Sequence, residues 1–214
     1  MRALIIVDLQ NDFMPGGALA VPNGDEVVSV ANSLIPRFEL VVASQDWHPP
    51  HHGSFASQHP GHKPGDVIQL DGIEQVLWPD HCVQGTFGAA FHRDLNTGGI
   101  DKVFQKGVAP TIDSYSTFYD NAHLRSTGLA DFLRARRVDE VCLLGLATDY
   151  CVKFSVLDAV RENLHVVVIE DGCRGIDLQP GEITRAFDEM RDAGARILSS
   201  GEIENTRRPV EPKT

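Results

Sequence analysis

Several side chains able to do chemistry stand at the ends of short apolar runs. Asp8 follows "ALIIV", Asp46 and His48 close "LVVASQDWH", Lys106 ends "KVFQK", and Cys151 lies in "GLATDYCV" after the run Val141–Leu144. A thiol, a carboxylate and an ammonium in one place would make a nucleophile, a proton acceptor and a cation that stabilises negative charge. Each residue also has a plainer reading. Cys151 could be a small hydrophobe filling a strand–helix joint, because free cysteine is among the most buried residue types. Asp8 could be a turn or capping carboxylate, and Lys106 a solvated charge at a strand end. The position of Cys151 just before the helical pattern "KFSVLDAVRENL" favours reactivity. Unpaired N–H groups and the macrodipole at a helix start lower a thiol's pKa, and the same N–H groups can serve as an oxyanion hole. Cys82, Cys142 and Cys173 lack that setting, and Cys142 falls inside an apolar run.

Asp46 and His48, two residues apart on an extended chain, project to the same side. A carboxylate with imidazoles suits zinc, iron or manganese. A third ligand could come from His51, His52, His59, His62 or His81. Of these, His81 in "WPDHCVQGT" is the first choice, and the other four are expected on surface loops.

These residues must be held by the elements around them. Apolar runs at Ala3–Val7, Leu40–Ala43, Lys102–Phe104, Val141–Leu144, Val166–Ile169 and Arg196–Leu198 have the continuous Val/Ile/Leu character of strands buried on both faces. Helical patterns lie between them. One follows "NGDEVV" with Val27, Val30, Ala31 and Leu34 on one face, and one follows "RSTGL" with Leu129, Phe132 and Leu133. A third runs from Val152 to Val160, and a fourth follows Pro180 with Ile183, Phe187 and Met190. Alternating strands and helices imply a parallel sheet covered on both faces, in one α/β domain over residues 1–214. Such sheets bind ligands outside the carboxyl ends of their strands, where Asp8, Asp46, His48, Lys106 and Cys151 all fall.

Between about Trp47 and Asp101 the pattern gives way to Pro, Gly and His, and seven of the nine histidines lie there. Long irregular segments inside compact domains are often functional, so this insertion is the expected metal site. The end, "ENTRRPVEPKT", has charge and prolines but few apolar residues. A formal charge of −11 disfavours nucleic acid and anionic membranes as partners. No stretch reaches the roughly 20 apolar residues of a membrane helix, and the N-terminus lacks the pattern of a secretion signal. The four cysteines have no C-x-x-C spacing, so a disulfide framework is not expected and the cytoplasm is the expected compartment.

Taken together, "DLQNDF", "SQDWHPPHHGSFASQH", "WPDHCVQGT", "FQKG" and "GLATDYCV" resemble the nicotinamidase branch of the isochorismatase-like cysteine hydrolases. The motifs span residues 8 to 152 in the family's order, and the strand–helix pattern fits to about residue 200. The resemblance implies a three-layer α/β/α fold with a six-stranded, Rossmann-like parallel sheet. It implies a catalytic triad of Asp8, Lys106 and Cys151, an oxyanion hole from the N–H groups of Ala147 and Cys151, and a cis bond between Ala147 and Thr148. It implies one divalent metal, zinc or iron with manganese as a third candidate, on Asp46, His48 and His81. Ser54 or His52 stands where some relatives place a further metal contact. Phe13, Trp78 and Tyr115 match pocket-lining aromatics, although core packing alone would also account for Phe13 and Trp78. The activity implied is hydrolysis of nicotinamide, with pyrazinamide as a second substrate, in pyridine-nucleotide (NAD) salvage, by a monomer or homodimer. Another amidase or carbamoyl hydrolase of the same superfamily is the alternative, and a catalytically silent binding protein is a rival of a different class.

Overall fold

The computed structural model describes residues 1–203, so the final eleven-residue "ENTRRPVEPKT" stretch falls outside the described residues. Six strands form one parallel sheet: β1 (Arg2–Val7), β2 (Leu40–Asp46), β5 (Lys102–Lys106), β6 (Glu140–Leu146), β7 (His165–Arg174) and β8 (Arg196–Leu198). Their order across the sheet is β5-β2-β1-β6-β7-β8, with every pairing parallel. The helices are α1 (Glu26–Leu34), α2 (Leu129–Ala135), α3 (Lys153–Arg161) and α4 (Glu182–Asp192).

Residues 3 to 7 of β1 are fully buried because both faces of the central strand are covered. Its side chains alternate between two cores. Leu4 and Ile6 pack with Val41, Ala43 and Leu144 and with Val27, Ala31 and Leu34 of α1. Ala3, Ile5 and Val7 pack with Val42, Val141 and Leu143 and with α2, α3 and α4 through Leu129, Leu133, Val156, Phe187 and Met190. The period of two in the strands and the apolar stripes of the helices therefore meet in three layers, as the sequence pattern implies. The chain leaves β1 toward β2 and β5 on one side and later returns to β6, β7 and β8 on the other. The switch point at β1/β6 is where such sheets open a ligand crevice.

The structure refines several expectations. β2 continues to Asp46 and β7 to Arg174, the latter past a register shift opposite Leu143 and Gly145. The segment from Trp47 to Asp101 is largely irregular, but it contains an antiparallel hairpin, β3 (Val67–Leu70) and β4 (Ile73–Val76). Its turn residues Asp71 and Gly72 have φ of 49° and 81°. Positive φ at both turn positions is the geometry Asp-Gly favours in two-residue hairpins, and that dipeptide was the overlooked signal. The non-proline cis peptide is Leu146–Ala147, one bond earlier than the family resemblance suggested. Among the described residues, no helix is long and apolar enough to cross a membrane.

Candidate active site and metal centre

Lys106 organises the centre. It closes β5 and its side chain is almost wholly buried, so its charge must be balanced locally. Its Nζ donates to Asp46 Oδ1 at 3.1 Å, to the Ser114 carbonyl at 2.9 Å and to Cys151 Sγ at 3.4 Å. Asp8 Oδ2 lies 2.9 Å from the same nitrogen as an ion pair. The contact holds two buried opposite charges together, although the carboxylate oxygen makes no well-directed hydrogen bond. Asp8 Oδ1 accepts from Ser44 Oγ at 2.7 Å. Asp8 follows β1 directly, with φ of 49°, and is fully buried. Thus three strand ends, β1, β5 and β6, deliver the carboxylate, the ammonium and the thiol to one point.

The electrostatics follow from burial and one shared cation. Burial raises the Asp8 pKa, and Lys106 only partly offsets it. Burial alone would lower Lys106, but Asp46 and Asp8 outweigh it and hold the ammonium well above its ordinary value. Burial likewise pushes the Cys151 thiol well above its ordinary value, against the pull of Lys106. This reverses the expectation of a thiol acidified by a helix start. Cys151 sits in a π-helical turn, Thr148–Val152, ahead of α3, and desolvation there, with the nearby carboxylates, exceeds the pull of the lysine. In that turn the N–H groups of Tyr150 and Val152 both donate to the Ala147 carbonyl, at 3.1 and 3.0 Å.

The second cluster adjoins the first through Asp46. Asp46, His48 and His81 are buried, with donor atoms close enough together to hold one ion. His48 Nε2 is 3.1 Å and His81 Nε2 is 3.2 Å from Asp46 Oδ2. His48 Nδ1 faces the Gly107 carbonyl at 3.0 Å, and His81 Nδ1 faces the Pro79 carbonyl at 2.8 Å. A carbonyl can only accept, so each Nδ1 carries a hydrogen, and in the neutral ring each Nε2 presents a lone pair toward Asp46. Two lone pairs and a carboxylate converging in a dry site repel unless a cation stands among them. His48 Nε2 is correspondingly without a hydrogen-bond partner. Burial would lower the His48 pKa, but the Asp46 charge raises it. Burial would raise Asp46, yet His48 and Lys106 hold it well below the carboxylate range. Both directions express a demand for positive charge at this point. The donor set fits a divalent metal such as zinc, with ring hydrogens on backbone carbonyls as metal-binding histidines require. Gly107 permits the arrangement. With φ of +66°, it brings its backbone so close to His48 that a Cβ there would lie 2.5 Å from the ring's Cε1.

The other histidines separate by environment. His51 and His62 are exposed, as expected for loop residues, while His52 is fully buried, which was not. Burial and the neighbouring His48 lower its pKa. Its Nδ1 accepts the Ser54 N–H at 3.2 Å and lies 2.7 Å from Ser54 Oγ. That pattern puts the His52 hydrogen on Nε2, so His52 offers a donor rather than a lone pair, and the Ser54 hydroxyl is turned to His52. His48, His52 and Asp113 also have ligand atoms near one another. Asp113 was not picked out in the sequence, where "TIDSYS" gives no period or motif to mark it. It is buried, 3.8 Å from His48 Nε2, and its Oδ1 accepts the Ser114 N–H at 2.7 Å.

A narrow pocket joins the clusters and is lined by Phe13, Asp46, Trp78, His81, Tyr115 and Cys151, among others. Phe13 and Trp78 are each 4% exposed, so they serve both the core and the pocket. Tyr150, in the turn carrying Cys151, stands edge-on to Trp78 with ring centroids 4.9 Å apart and also lines the pocket. Nothing in "GLATDYCV" marks Tyr150 for the pocket, since a tyrosine beside the thiol breaks no pattern. The Tyr115 hydroxyl receives the Trp78 Nε1 hydrogen at 3.2 Å.

A parallel α/β sheet with a buried cysteine, lysine and carboxylate at its switch point, beside an Asp/His/His cluster, describes a hydrolase of α/β architecture. The chain matches the isochorismatase domain family over residues 2–202 and belongs to that family. It is 54% identical to a nicotinamidase of Escherichia coli over 210 residues, 96% of this chain and 98% of that protein. A solved Acinetobacter nicotinamidase/pyrazinamidase superposes with a TM-score of 0.91 at 46% identity, covering 94% of this chain and 96% of the other. A Pyrococcus horikoshii pyrazinamidase in complex with zinc superposes with a TM-score of 0.75 at 37% identity, covering 92% and 98%.

Proposed function

We propose that this enzyme hydrolyses nicotinamide to nicotinate and ammonia through a thioester on Cys151. The observation that carries the reading is the Lys106 ammonium, shared by Cys151 Sγ and Asp8 beside the Asp46/His48/His81 cluster. A divalent metal held by Asp46, His48 and His81 would supply a Lewis acid for the ring nitrogen and so orient the carboxamide. The aromatic walls Phe13, Trp78 and Tyr115 suit a flat heteroaromatic ring.

Asp8 accepts the thiol proton as Cys151 Sγ attacks the carboxamide carbon. The N–H groups of Ala147 and Cys151 receive the developing oxyanion, and Lys106 balances the negative charge on sulfur and carboxylate. The C–N bond then breaks, Asp8 returns its proton to the nitrogen, and ammonia leaves. Water, deprotonated by the same carboxylate, attacks the thioester carbon, releasing nicotinate and restoring the thiol. The product would feed pyridine-nucleotide salvage, and pyrazinamide, with the same carboxamide on a similar ring, should also be a substrate.

The experiment is ammonia release from nicotinamide, pyrazinamide and a panel of unrelated amides and carbamoyl compounds, by wild type and Cys151→Ala. The reading expects turnover concentrated on the two heteroaromatic amides. It expects that turnover to vanish in Cys151→Ala while bound metal is retained. A preference for a different amide would move the enzyme to another branch of the family, and turnover by Cys151→Ala would remove the nucleophile.

A further inference from the structure

On the hairpin, Gln75 is an anomaly. Its neighbour Glu74 is exposed and Val76 partly so, yet Gln75 is 2% exposed and carries a polar amide into the protein. Burying an amide is costly unless its hydrogens find acceptors. Gln75 Nε2 finds three oxygens: Val76 O at 2.7 Å, Tyr115 Oη at 3.0 Å and Asp113 Oδ2 at 3.2 Å. The carbonyl and the carboxylate can only accept, which fixes the sense of the amide: its NH2 faces this group. A single side chain from the hairpin thus grips two residues of the loop that follows β5. One of them, Asp113, stands 3.8 Å from His48 Nε2 at the metal cluster, and the other, Tyr115, lines the pocket. Ser114, between them, gives its carbonyl to Lys106. Oδ1 of Asp113 is held by the Ser114 N–H, so Gln75 is the partner that fixes the second oxygen and with it the plane of the carboxylate.

We propose that Gln75 is a positioning residue for the metal side of the active site. It holds the Asp113 carboxylate beside His48 and so adds a fixed negative charge next to the Asp46/His48/His81 donors. This inference rests on the metal assignment made above. Groups behind a metal's direct ligands commonly alter its affinity by about 10–100-fold when removed. Gln75→Met keeps the side chain's length while removing both amide hydrogens. Gln75→Glu keeps its shape and sets an oxygen against the Asp113 carboxylate.

The test is a double-mutant cycle read on metal retention. Zinc transfer from the loaded protein to a chromophoric chelator is measured for wild type, Gln75→Met, Asp113→Asn and the double variant, with nicotinamide kinetics and thermal melting alongside. The expected result is about tenfold or greater loss of zinc affinity in Gln75→Met, with KM rising more than kcat falls. In the Asp113→Asn background the same change should cost under about twofold, because the route through Asp113 is already cut. Equal losses in both backgrounds, or unaltered zinc affinity in Gln75→Met, would overturn the proposal. If Gln75→Met fails to fold, Gln75→Glu supplies the same comparison with an acceptor in place of the amide donor, and is expected to lose zinc affinity because the Asp113 carboxylate is no longer held. The zinc cycle decides the role of Gln75 even if wild type proves inactive on nicotinamide, an outcome that would instead refute the proposed function.

Discussion

Replacing Lys106 by Met is the sharpest probe of the centre. The ammonium is the shared partner of two buried carboxylates, Asp8 at 2.9 Å and Asp46 at 3.1 Å, and Met would leave both without it. Removing one member of a buried ion pair costs about 3–5 kcal/mol. Total stabilities of about 5–15 kcal/mol leave little margin for such a loss. In a chain of this size each kcal/mol shifts the melting temperature by about 2–4 °C, so a fall of about 6–20 °C is expected. The deficit should depend on pH, with a definite sign. Asp8 already has a raised folded-state pKa from burial, and losing Lys106 removes what offsets it. A folded state that holds its proton more tightly than the unfolded chain loses stability as pH rises from the unfolded carboxylate pKa, about 4, toward the raised folded value. The melting difference between wild type and Lys106→Met, measured by calorimetry with chelator present, should therefore be smaller at pH 5 than at pH 8. Nicotinamide turnover should fall by at least about a hundredfold, the scale of losing one group that stabilises developing charge. A melting shift under about 2 °C, or one equal at both pH values, would refute the claim that Lys106 is the shared counter-ion.

Three further outcomes follow from the same geometry. Prolonged chelation should abolish or greatly reduce nicotinamide hydrolysis, and added zinc or manganese should restore it; full activity in protein shown by elemental analysis to be metal-free would exclude the Asp46/His48/His81 assignment. Because burial raises the Asp8 pKa and the base must be ionised to accept the thiol proton, the acid limb of the kcat/KM profile should lie above the ordinary carboxylate range of about 4, and Asp8→Asn should be inactive at every pH. Gly107→Ala should weaken zinc retention by about tenfold or more in a chelator competition, since its Cβ would lie 2.5 Å from the His48 ring.

What could be read from the sequence was whatever repeats or terminates. All six strand runs and all four helical stripes carry their own period, and they stand where the pattern placed them. Asp8, Asp46, Lys106 and Cys151 were visible because a charge or thiol at the end of an apolar run breaks that run, and a parallel sheet gathers such ends on one edge. Asp113 and Gln75 break nothing. One lies in a polar loop and the other in a short strand with exposed neighbours, so only the folded chain reveals that both are buried and joined. His52 escaped for the same reason: histidine-rich loops usually run over the surface, but this one folds inward around Phe55 and His48. The protonation of Cys151 was misjudged for a different reason. Helix-start electrostatics can be read from sequence order, but desolvation depends on what the rest of the chain packs over the thiol.

That last difference bears on how the proposed reaction begins. A thiol held well above its ordinary pKa is not a standing thiolate, and Lys106 beside it cannot be the base, because Asp46 and Asp8 keep its own proton firmly bound. Asp8 is the neighbour whose proton affinity moves in the useful direction, because burial raises it toward that of the thiol. Proton transfer from sulfur to Asp8 leaves a thiolate and a neutral acid around a retained ammonium, so the net charge of the three groups does not change. In a buried site that matters more than the acidity of the thiol alone, since uncompensated charge is what low dielectric penalises most. The ammonium shifts its balance from carboxylate to sulfur without moving, and the thiolate arises as attack begins. The lysine therefore acts by keeping its proton, and the same burial that raises the thiol's pKa makes Asp8 a better base.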